Sequence, residues 1–365
     1  MEIAACARED ILHWLRLTLV PGVSGEAQRA LLKAFGSPRD AADAPAASIA
    51  DVAGTAVANA LARGPSTESI RRTMAWLDHP GNRFLPLGDK DYPRALLEIH
   101  DPPTALFATG CVELLNAPAI AVVGSRSATA QGKLDAHAFA RVLAEAGYCI
   151  VSGLAHGIDA AAHRGALGAR ASSIAVVGTG LDRVYPAGNA ALADQLSRDG
   201  AIISEFPLGT APVASNFPRR NRLISGLAQG VLVVEAALGS GSLITARAAL
   251  EQGRDVFAMP GSIHSPVARG CHQLIREGAK LVETADDVLM ELRATSAPAG
   301  ERRPPSMPED PLLDALGFAP GSVDALVART HFDAGEIAAR LTTLEIEGHV
   351  ARIPGGLFQR VSRDA

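Results

Sequence analysis

Between residues 119 and 282 the sequence alternates short apolar runs with segments of helical periodicity, and this alternation constrains the fold more than any other feature. The apolar runs are continuous, which is typical of strands that are buried on both faces. Such strands, each followed by a helix, build a parallel sheet covered by helices. The predicted strands are 119–123, 148–151, 173–177, 201–204, 231–234, 255–258 and 280–282.

Turns rich in glycine and serine follow most of these strands. Right-handed crossovers place the loops after parallel strands at one edge of the sheet, so we expect the turns to converge there. Glycine and serine amides at helix N-termini are suited to binding phosphate groups. The turns are Gly124, Ser125 and Arg126; Ser152 and Gly153; residues 178–180; and Gly239, Ser240, Gly241 and Ser242.

A short arginine-rich stretch, 216–222, lies at the same predicted edge in a chain whose formal net charge is −5. Arginine forks match phosphate oxygens, and an aromatic ring can stack on a base. The alternative is an ordinary solvated charge run that precedes a helix. Phosphate-type turns in a row, with Phe217 and Tyr185 as stacking surfaces, favour a single strand of nucleic acid. The candidate residues of the stretch are Asn216, Phe217, Arg219, Arg220, Asn221 and Arg222.

Several enzyme classes fit these turns poorly. A dinucleotide-binding fingerprint needs a second glycine where Arg126 stands, and an acidic residue where the second strand ends in Ser152 and Gly153. No glycine loop is followed by the Gly-Lys-Ser/Thr of a phosphate-binding loop, and no nucleophile elbow is present. The sequence therefore predicts no catalytic residue and no cofactor.

One histidine- and aspartate-containing segment could suggest a metal site. His156, Asp159 and His163 have nearly helical spacing, but Gly157 indicates that the helix begins only after His156. We interpret His163 as a packed core histidine and predict no metal. Glu205 and Glu235 end two strands, where they could act as acids or bases, but they are better interpreted as anchors for nearby arginines.

The flanking regions differ from the predicted sheet domain. Residues 9–77 read as short helices, with a Pro-Gly turn at 19–25 that resembles a helix-hairpin-helix, and 84–118 reads as an irregular, proline-rich lead-in. Proline-rich 293–309 reads as a linker, followed by three helices and a hairpin typical of a winged helix. That last region carries five arginines against eight acidic residues, whereas a winged helix that reads DNA is normally basic, so a protein-contact role is at least as well supported as DNA contact. The predicted domains are 1–80, 81–292 and 310–365.

The apolar runs and the cysteines indicate where in the cell the protein is expected to be located. The longest apolar runs are strand-sized, far short of the roughly 18 residues of a membrane span, and no secretory signal is recognisable. The cysteines, Cys6, Cys111, Cys149 and Cys271, lie far apart, as expected of reduced thiols in a cytosol.

Taken together, the motifs resemble those of the bacterial DNA-processing protein A (DprA/Smf) family. The matching runs stand in the family's order over about 165 residues. The longest are VGSR at 123–126, SGLAHGID at 152–159, FPRRNR at 217–222 and SGSLITA at 240–246, joined by shorter matches at 162–163, 180–182, 185–186, 204–205, 235–236 and 260–261.

The resemblance implies an α/β fold with an extended Rossmann-like domain between a small N-terminal helical, SAM-like domain and a C-terminal winged helix. It also implies a cytoplasmic, homodimeric, non-catalytic protein that binds and protects single-stranded DNA and loads the RecA recombinase onto it in natural transformation and recombination. By the same resemblance Ser125 and Arg126 contact phosphate, the 217–222 run forms the pocket and Ser240–Ser242 closes it. Many members carry basic or polar residues where this chain has Leu238 and Gly239, so weaker binding is expected there.

Two alternatives from other classes stay open. A nucleotide phosphoribohydrolase of the lysine-decarboxylase-like family shares a related fold, but its Pro-Gly-Gly-x-Gly-Thr motif is not supplied by 259–264. An adaptor that acts mainly through its acidic C-terminal domain is the third class. On the DNA-binding interpretation we expect Arg126 and Arg220 to be partly exposed.

Overall fold

The structure is a computed structural model that describes residues 5–169, 171–292, 310–317 and 320–361. The helices are α1 (Ala5–Thr18), α2 (Gly25–Phe35), α3 (Pro38–Asp43), α4 (Ala46–Ala53), α5 (Thr55–Arg63), α6 (Thr67–Leu77), α7 (Ala130–Glu145), α8 (Ile158–Ala166), α9 (Ala190–Asp199), α10 (Asn216–Leu227), α11 (Gly241–Glu251), α12 (Arg269–Arg276), α13 (Ala285–Glu291), α14 (Pro311–Leu316), α15 (Val323–Arg329) and α16 (Ala334–Ile346). The strands are β1 (Asn82–Pro86), β2 (Ala105–Gly110), β3 (Ala119–Val123), β4 (Cys149–Ser152), β5 (Ser173–Val176), β6 (Ala201–Ser204), β7 (Gly230–Val233), β8 (Asp255–Ala258), β9 (Lys280–Leu281), β10 (Val350–Ile353) and β11 (Leu357–Arg360).

The chain separates into two compact units, neither of which is continuous in sequence. Unit 1 contains Met1–Ala117 and Ile174–Leu227, and unit 2 contains Pro118–Ser173 and Ala228–Ala365. The predicted linker, 293–309, lies outside the described residues. The predicted limits of the three domains stay a prediction.

Unit 1 combines the six N-terminal helices with strands in the order β1-β2-β6-β5. The β1–β2 and β2–β6 pairs are antiparallel, whereas β5 and β6 are parallel. The prediction of an irregular lead-in at 84–118 is therefore wrong, because β1 and β2 bury apolar side chains there. Phe84 and Phe107 pack edge to face with ring centroids 5.3 Å apart.

Unit 2 contains parallel strands in the order β4-β3-β7-β8-β9. Every residue of β3 is buried, as its continuous apolar sequence predicts. Helices α7 and α8 approach so closely that a Cβ at Gly165 would collide with the His137 carbonyl. The short helices α12 and α13 were not predicted, although Thr284 and Asp287 form a capping box at the start of α13.

The C-terminal helices α14, α15 and α16 and the β10–β11 hairpin form a separate small core within unit 2. Leu313, Leu326, Leu341 and Phe358 belong to that core. The prediction of three helices and a hairpin is confirmed. In the part of the chain that the structure describes, no helix combines the length and the apolar character needed to span a membrane.

Candidate nucleic-acid interface

The arginine stretch forms the first turns of α10 in unit 1, and its three arginines occupy different environments. The Arg219 side chain is 53% exposed and the Arg222 side chain is 16% exposed. Arg220 as a residue is only 4% exposed. Of the three, Arg219 is therefore the side chain most accessible to a ligand from solvent.

Arg220 connects α10 to the sheet. Its guanidinium donates a hydrogen bond to the carbonyl of Val176, at the end of β5, and its Nε donates to Asn221 Oδ1 over 3.2 Å. The expectation of partial exposure for Arg220 is wrong, because a buried guanidinium must find hydrogen-bond acceptors inside the protein and this one finds a strand carbonyl. Asn221 is buried beside it.

Glu205, the residue after β6, anchors the other two arginines. Its carboxylate is 3% exposed and accepts hydrogen bonds from Arg222 over 2.6 Å and from Arg219 over 3.1 Å. Arg222 Nε also lies 3.1 Å from a carboxylate oxygen of Asp101. Burial raises the pKa of Glu205, and the charges of Arg222 and Arg219 oppose that rise. The interpretation of Glu205 as an arginine anchor is confirmed.

Phe217, in the first turn of α10, forms an aromatic pair. The rings of Phe217 and Tyr185 have centroids 5.6 Å apart and are inclined by 35°. Asn216 donates to the carbonyl of Gly178 over 3.1 Å, and a Cβ at Gly178 would come within 3.1 Å of the Phe217 ring. Because Tyr185 is 43% exposed, this pair offers an aromatic surface to a base.

In unit 2 the Gly124–Arg126 turn is held between two neighbouring segments. The Ser125 amide donates to the Glu235 carbonyl over 2.7 Å, and the Ser125 carbonyl accepts from the Ile158 amide over 3.2 Å. Gly157 has a φ of +79°, and a Cβ there would collide with the Ser125 carbonyl. The ends of β3 and β7 and the start of α8 thus meet as predicted, with Arg126 exposed.

Two other predicted site residues, Ser152 and Gly153, make hydrogen bonds within unit 2. Ser152 is fully buried, and its hydroxyl donates to the Val122 carbonyl over 2.7 Å. Asp159 accepts from the amides of Gly153 over 3.1 Å and Ala155 over 3.3 Å. These contacts fix the path of the loop that precedes α8, so Ser152 and Gly153 shape the turn.

Gly239–Ser242 opens α11 in the same unit. Ser240 is the N-cap of this helix, and its hydroxyl lies 2.8 Å from that of Ser242. Gly239 has a φ of +78° and is exposed, as is Gly241, and a Cβ on either would meet no atom within 4 Å. The start of α11 is therefore an accessible helix N-terminus, as an anion site requires.

His163 is the core histidine that the sequence predicts. It is fully buried, with Nδ1 2.7 Å from the Ser173 hydroxyl, which itself donates to the Ile150 carbonyl. Because the Ser173 hydroxyl proton is donated to Ile150, the Ser173 oxygen can only accept from His163. Nδ1 of His163 is therefore the donor in this pair. His156 is exposed and precedes α8, also as predicted.

A carboxylate contact at the start of α7 was missed by sequence reasoning. Thr129 is the N-cap of α7, and Glu235 accepts from its amide over 2.9 Å and from its hydroxyl over 2.6 Å. Burial raises the pKa of Glu235. A threonine before a helical segment was the available signal for the cap, but its carboxylate partner is 106 residues away.

Asp135, one turn into α7, gives a pH-dependent prediction. Burial and the nearby Glu235 raise its pKa from 3.8 to about 6, against a hydrogen bond from Gln131. Since the folded pKa lies above the ordinary value, ionisation of Asp135 destabilises the fold as pH rises from about 4 to 6. We expect Asp135→Asn to be about 2 kcal/mol more stable than wild type at pH 7.5, and no more stable at pH 4. Urea unfolding at both pH values measures this, and an equal effect at both would contradict it.

Comparison with known proteins assigns a family. A family model described as DNA recombination-mediator protein A matches residues 83–293, and a DprA winged helix model matches residues 296–356. Protein Smf of Escherichia coli is 43% identical over 300 residues, which cover 79% of this chain and 80% of the relative. DNA processing protein DprA of Streptococcus pneumoniae is 50% identical over 203 residues, covering 56% of this chain and 72% of the relative.

Two solved structures are also similar. The X-ray structure of DNA processing protein A from Streptococcus pneumoniae has a TM-score of 0.66 and 38% identity, covering 80% of this chain and 99% of that chain. A Helicobacter pylori DNA processing protein A is described with its single-stranded DNA binding mode. It has a TM-score of 0.54 and 30% identity, and the match covers 59% of this chain and 97% of that chain. The α/β class with N-terminal helices and a C-terminal winged helix is confirmed. The chain therefore belongs to the DNA recombination-mediator protein A family, the DprA/Smf proteins that its motifs resemble.

Proposed function

We propose that this protein binds single-stranded DNA and catalyses no reaction on it. The observation that carries the proposal is that the start of α10 presents both an exposed arginine, Arg219, and one ring of the Phe217–Tyr185 aromatic pair. A phosphate-binding cation and a base-stacking ring thus belong to the same helix end. The Helicobacter pylori relative, described with its single-stranded DNA binding mode, supports the same ligand. Family membership supports a role in DNA processing.

The residues proposed to act in strand binding have two roles, which are described for each unit by itself. In unit 1, Arg219 is proposed to bind phosphate and Phe217 to stack on a base. In unit 2, Arg126, Ser125 and the Gly239–Ser242 turn are proposed to bind phosphate. Other residues, buried or half-buried, fix the local structure. In unit 1, Arg220 and Asn221 fix α10, Asn216 binds the Gly178 carbonyl, and Glu205 with Asp101 orients Arg222. In unit 2, Ser152 and Gly153 fix the loop before α8. Gly124 allows the first turn to approach Ile158 closely.

The cellular role follows from the family resemblance. In the proposed function the protein, as a cytoplasmic homodimer, protects incoming single strands and loads the RecA recombinase onto them during natural transformation and recombination. Strand binding is the step common to all these activities, so it is tested first.

A titration of the full-length protein with matched single-stranded and duplex oligonucleotides tests strand binding. We expect tighter binding of the single strand, little dependence on base sequence, and a linear fall of log affinity with log salt, because phosphate contacts release counterions. Filter binding at several salt concentrations measures all three. Equal affinity for duplex, or an affinity that does not depend on salt, would contradict the proposal.

The C-terminal domain, 310–365, is proposed to contact protein rather than DNA. It carries a net charge of −3, and Ile346 at the end of α16 is 82% exposed, as an interface residue would be. We therefore expect a variant that ends at Met290 to keep its affinity for single strands within about threefold of wild type, since few phosphate contacts are removed. The same filter-binding assay measures this. Loss of most of the affinity would assign DNA contacts to the C-terminal domain.

A further inference from the structure

Unit 1 contains a cavity of about 430 Å³, which shares Arg219 and Glu205 with the proposed strand-binding residues but is lined mostly by others. It lies between the Pro-Gly turn before α2, the first turn of α6, strands β1 and β2, and the segment after β6. Cavities that hold small ligands measure roughly 300–1,000 Å³. Its size therefore suits a ligand as large as one nucleotide.

One wall of the cavity is suited to an anion. Two helices of 11 residues each begin at this wall: α2, with its N-cap Ser24 and first residue Gly25, and α6, with its N-cap Ser66 and third residue Ser69. Amides at the start of a helix carry partial positive charge and bind phosphate. Arg219, which also lines the cavity, adds a full positive charge.

A buried acceptor also lines the cavity. Glu205 lines the cavity with its carboxylate 3% exposed, and one of its oxygens, Oε2, accepts from Arg219 and Arg222. The other oxygen, Oε1, is buried and has no hydrogen-bond partner among the described residues. Because buried polar atoms in folded proteins are nearly always hydrogen-bonded, this oxygen indicates a donor that a ligand would supply.

The remaining wall is apolar. Phe84 and Phe107 from β1 and β2, Phe206 after Glu205, and Val20 and Val23 from the turn before α2 all line the cavity. A planar heterocycle buries well against such a surface. The cavity thus combines an anion site, an apolar wall and one unsatisfied acceptor.

We propose that this cavity binds one nucleotide, with its phosphate at the starts of α2 and α6, its base against the phenylalanines and a base N–H donated to Glu205 Oε1. The same chemistry is offered by a free nucleotide and by the phosphorylated end of a DNA strand. The proposal goes beyond strand binding and does not depend on it.

Isothermal titration of the full-length protein with dGMP, deoxyguanosine and inorganic phosphate tests the proposal. We expect dGMP to bind at least ~10-fold more tightly than deoxyguanosine or phosphate alone, because only dGMP carries both the phosphate and the base that the cavity would contact. Ser69→Tyr, which fills the cavity, should weaken dGMP at least ~10-fold. Ser48→Tyr is the matched control, since Ser48 is also the third residue of a helix and half-buried but does not line the cavity.

Glu205→Gln separates the base contact from the anion contact. It should weaken dGMP about tenfold without weakening inorganic phosphate, because it replaces an ionised acceptor while the helix starts and the positive charge of Arg219 remain. Thermal unfolding of each variant shows that it is folded. Absence of dGMP binding to wild type at millimolar concentration, or dGMP binding that Ser69→Tyr leaves intact, would overturn the proposal.

Oligonucleotides with and without a 5′-phosphate identify the source of the nucleotide. If the cavity takes a strand end, the 5′-phosphate should tighten binding to wild type and to Ser48→Tyr but not to Ser69→Tyr. If the cavity takes a free nucleotide, dGMP binds and the 5′-phosphate has no effect. Both results support the proposal that the cavity binds one nucleotide. Affinity for the unphosphorylated strand, measured in the same samples, reports separately on the proposed strand site.

Discussion

Replacing Arg126 and Arg219 together by alanine is expected to weaken single-strand binding about 100-fold, because each charge-assisted phosphate contact is worth roughly tenfold in affinity. Both side chains are exposed, so neither loss should unfold the protein. Glu205 keeps Arg222 as a partner when Arg219 is removed. The slope of log affinity against log salt should also become shallower by about 1.4, since each lost phosphate contact removes about 0.7 on a single strand.

The measurement is filter binding of a labelled single strand, with thermal unfolding of the same samples. Arg198→Ala is the matched control: Arg198 is 61% exposed and paired with Asp194, much as Arg219 is 53% exposed and paired with Glu205. It should leave both affinity and salt slope unchanged. A double variant that binds as wild type does while melting normally would place the strand elsewhere on the protein.

The strands of the sheet were predictable because strands that are buried on both faces have continuous apolar sequences. The run 119–123 is apolar throughout and lies between β4 and β7 in the unit 2 sheet. The predicted strands 201–204 and 255–258 match β6 and β8. Strands β1 and β2 were missed because prolines interrupt their surroundings and Pro86 ends β1. A proline is tolerated at the end of an edge strand, and β1 is at the edge of its sheet.

The direction of each arginine in α10 was harder to predict. Arg220 stands three, four and seven residues before Leu223, Ile224 and Leu227, so it shares their buried face. The helical spacing therefore predicts that Arg220 is buried. Its positive charge suggested the opposite, exposure to solvent. The cavity in unit 1 had no such signal, because its walls come from residues that lie as far apart in sequence as Ser24 and Arg222.

Arg220→Ala is expected to destabilise the protein by about 2–4 kcal/mol, in contrast to Arg219→Ala, which should cost less than about 1 kcal/mol. The buried guanidinium donates to the Val176 carbonyl, and its removal takes away that buried hydrogen bond and opens a space beneath α10. Arg220→Lys should also destabilise, because an ammonium cannot reproduce the fork that reaches both Val176 and Asn221. Urea unfolding of the three variants measures these differences.

Strand binding by Arg220→Ala separates a structural role from direct contact with the ligand. If Arg220 holds α10 in place, affinity should fall in step with the folded fraction and should largely return at a lower temperature or urea concentration, where the variant is folded. Arg219→Ala should instead bind weakly under every condition, because its loss removes a phosphate contact from a protein that stays folded. An Arg220→Ala variant with wild-type stability and abolished binding would show that this buried arginine contacts the strand itself, which would require α10 to move when DNA binds.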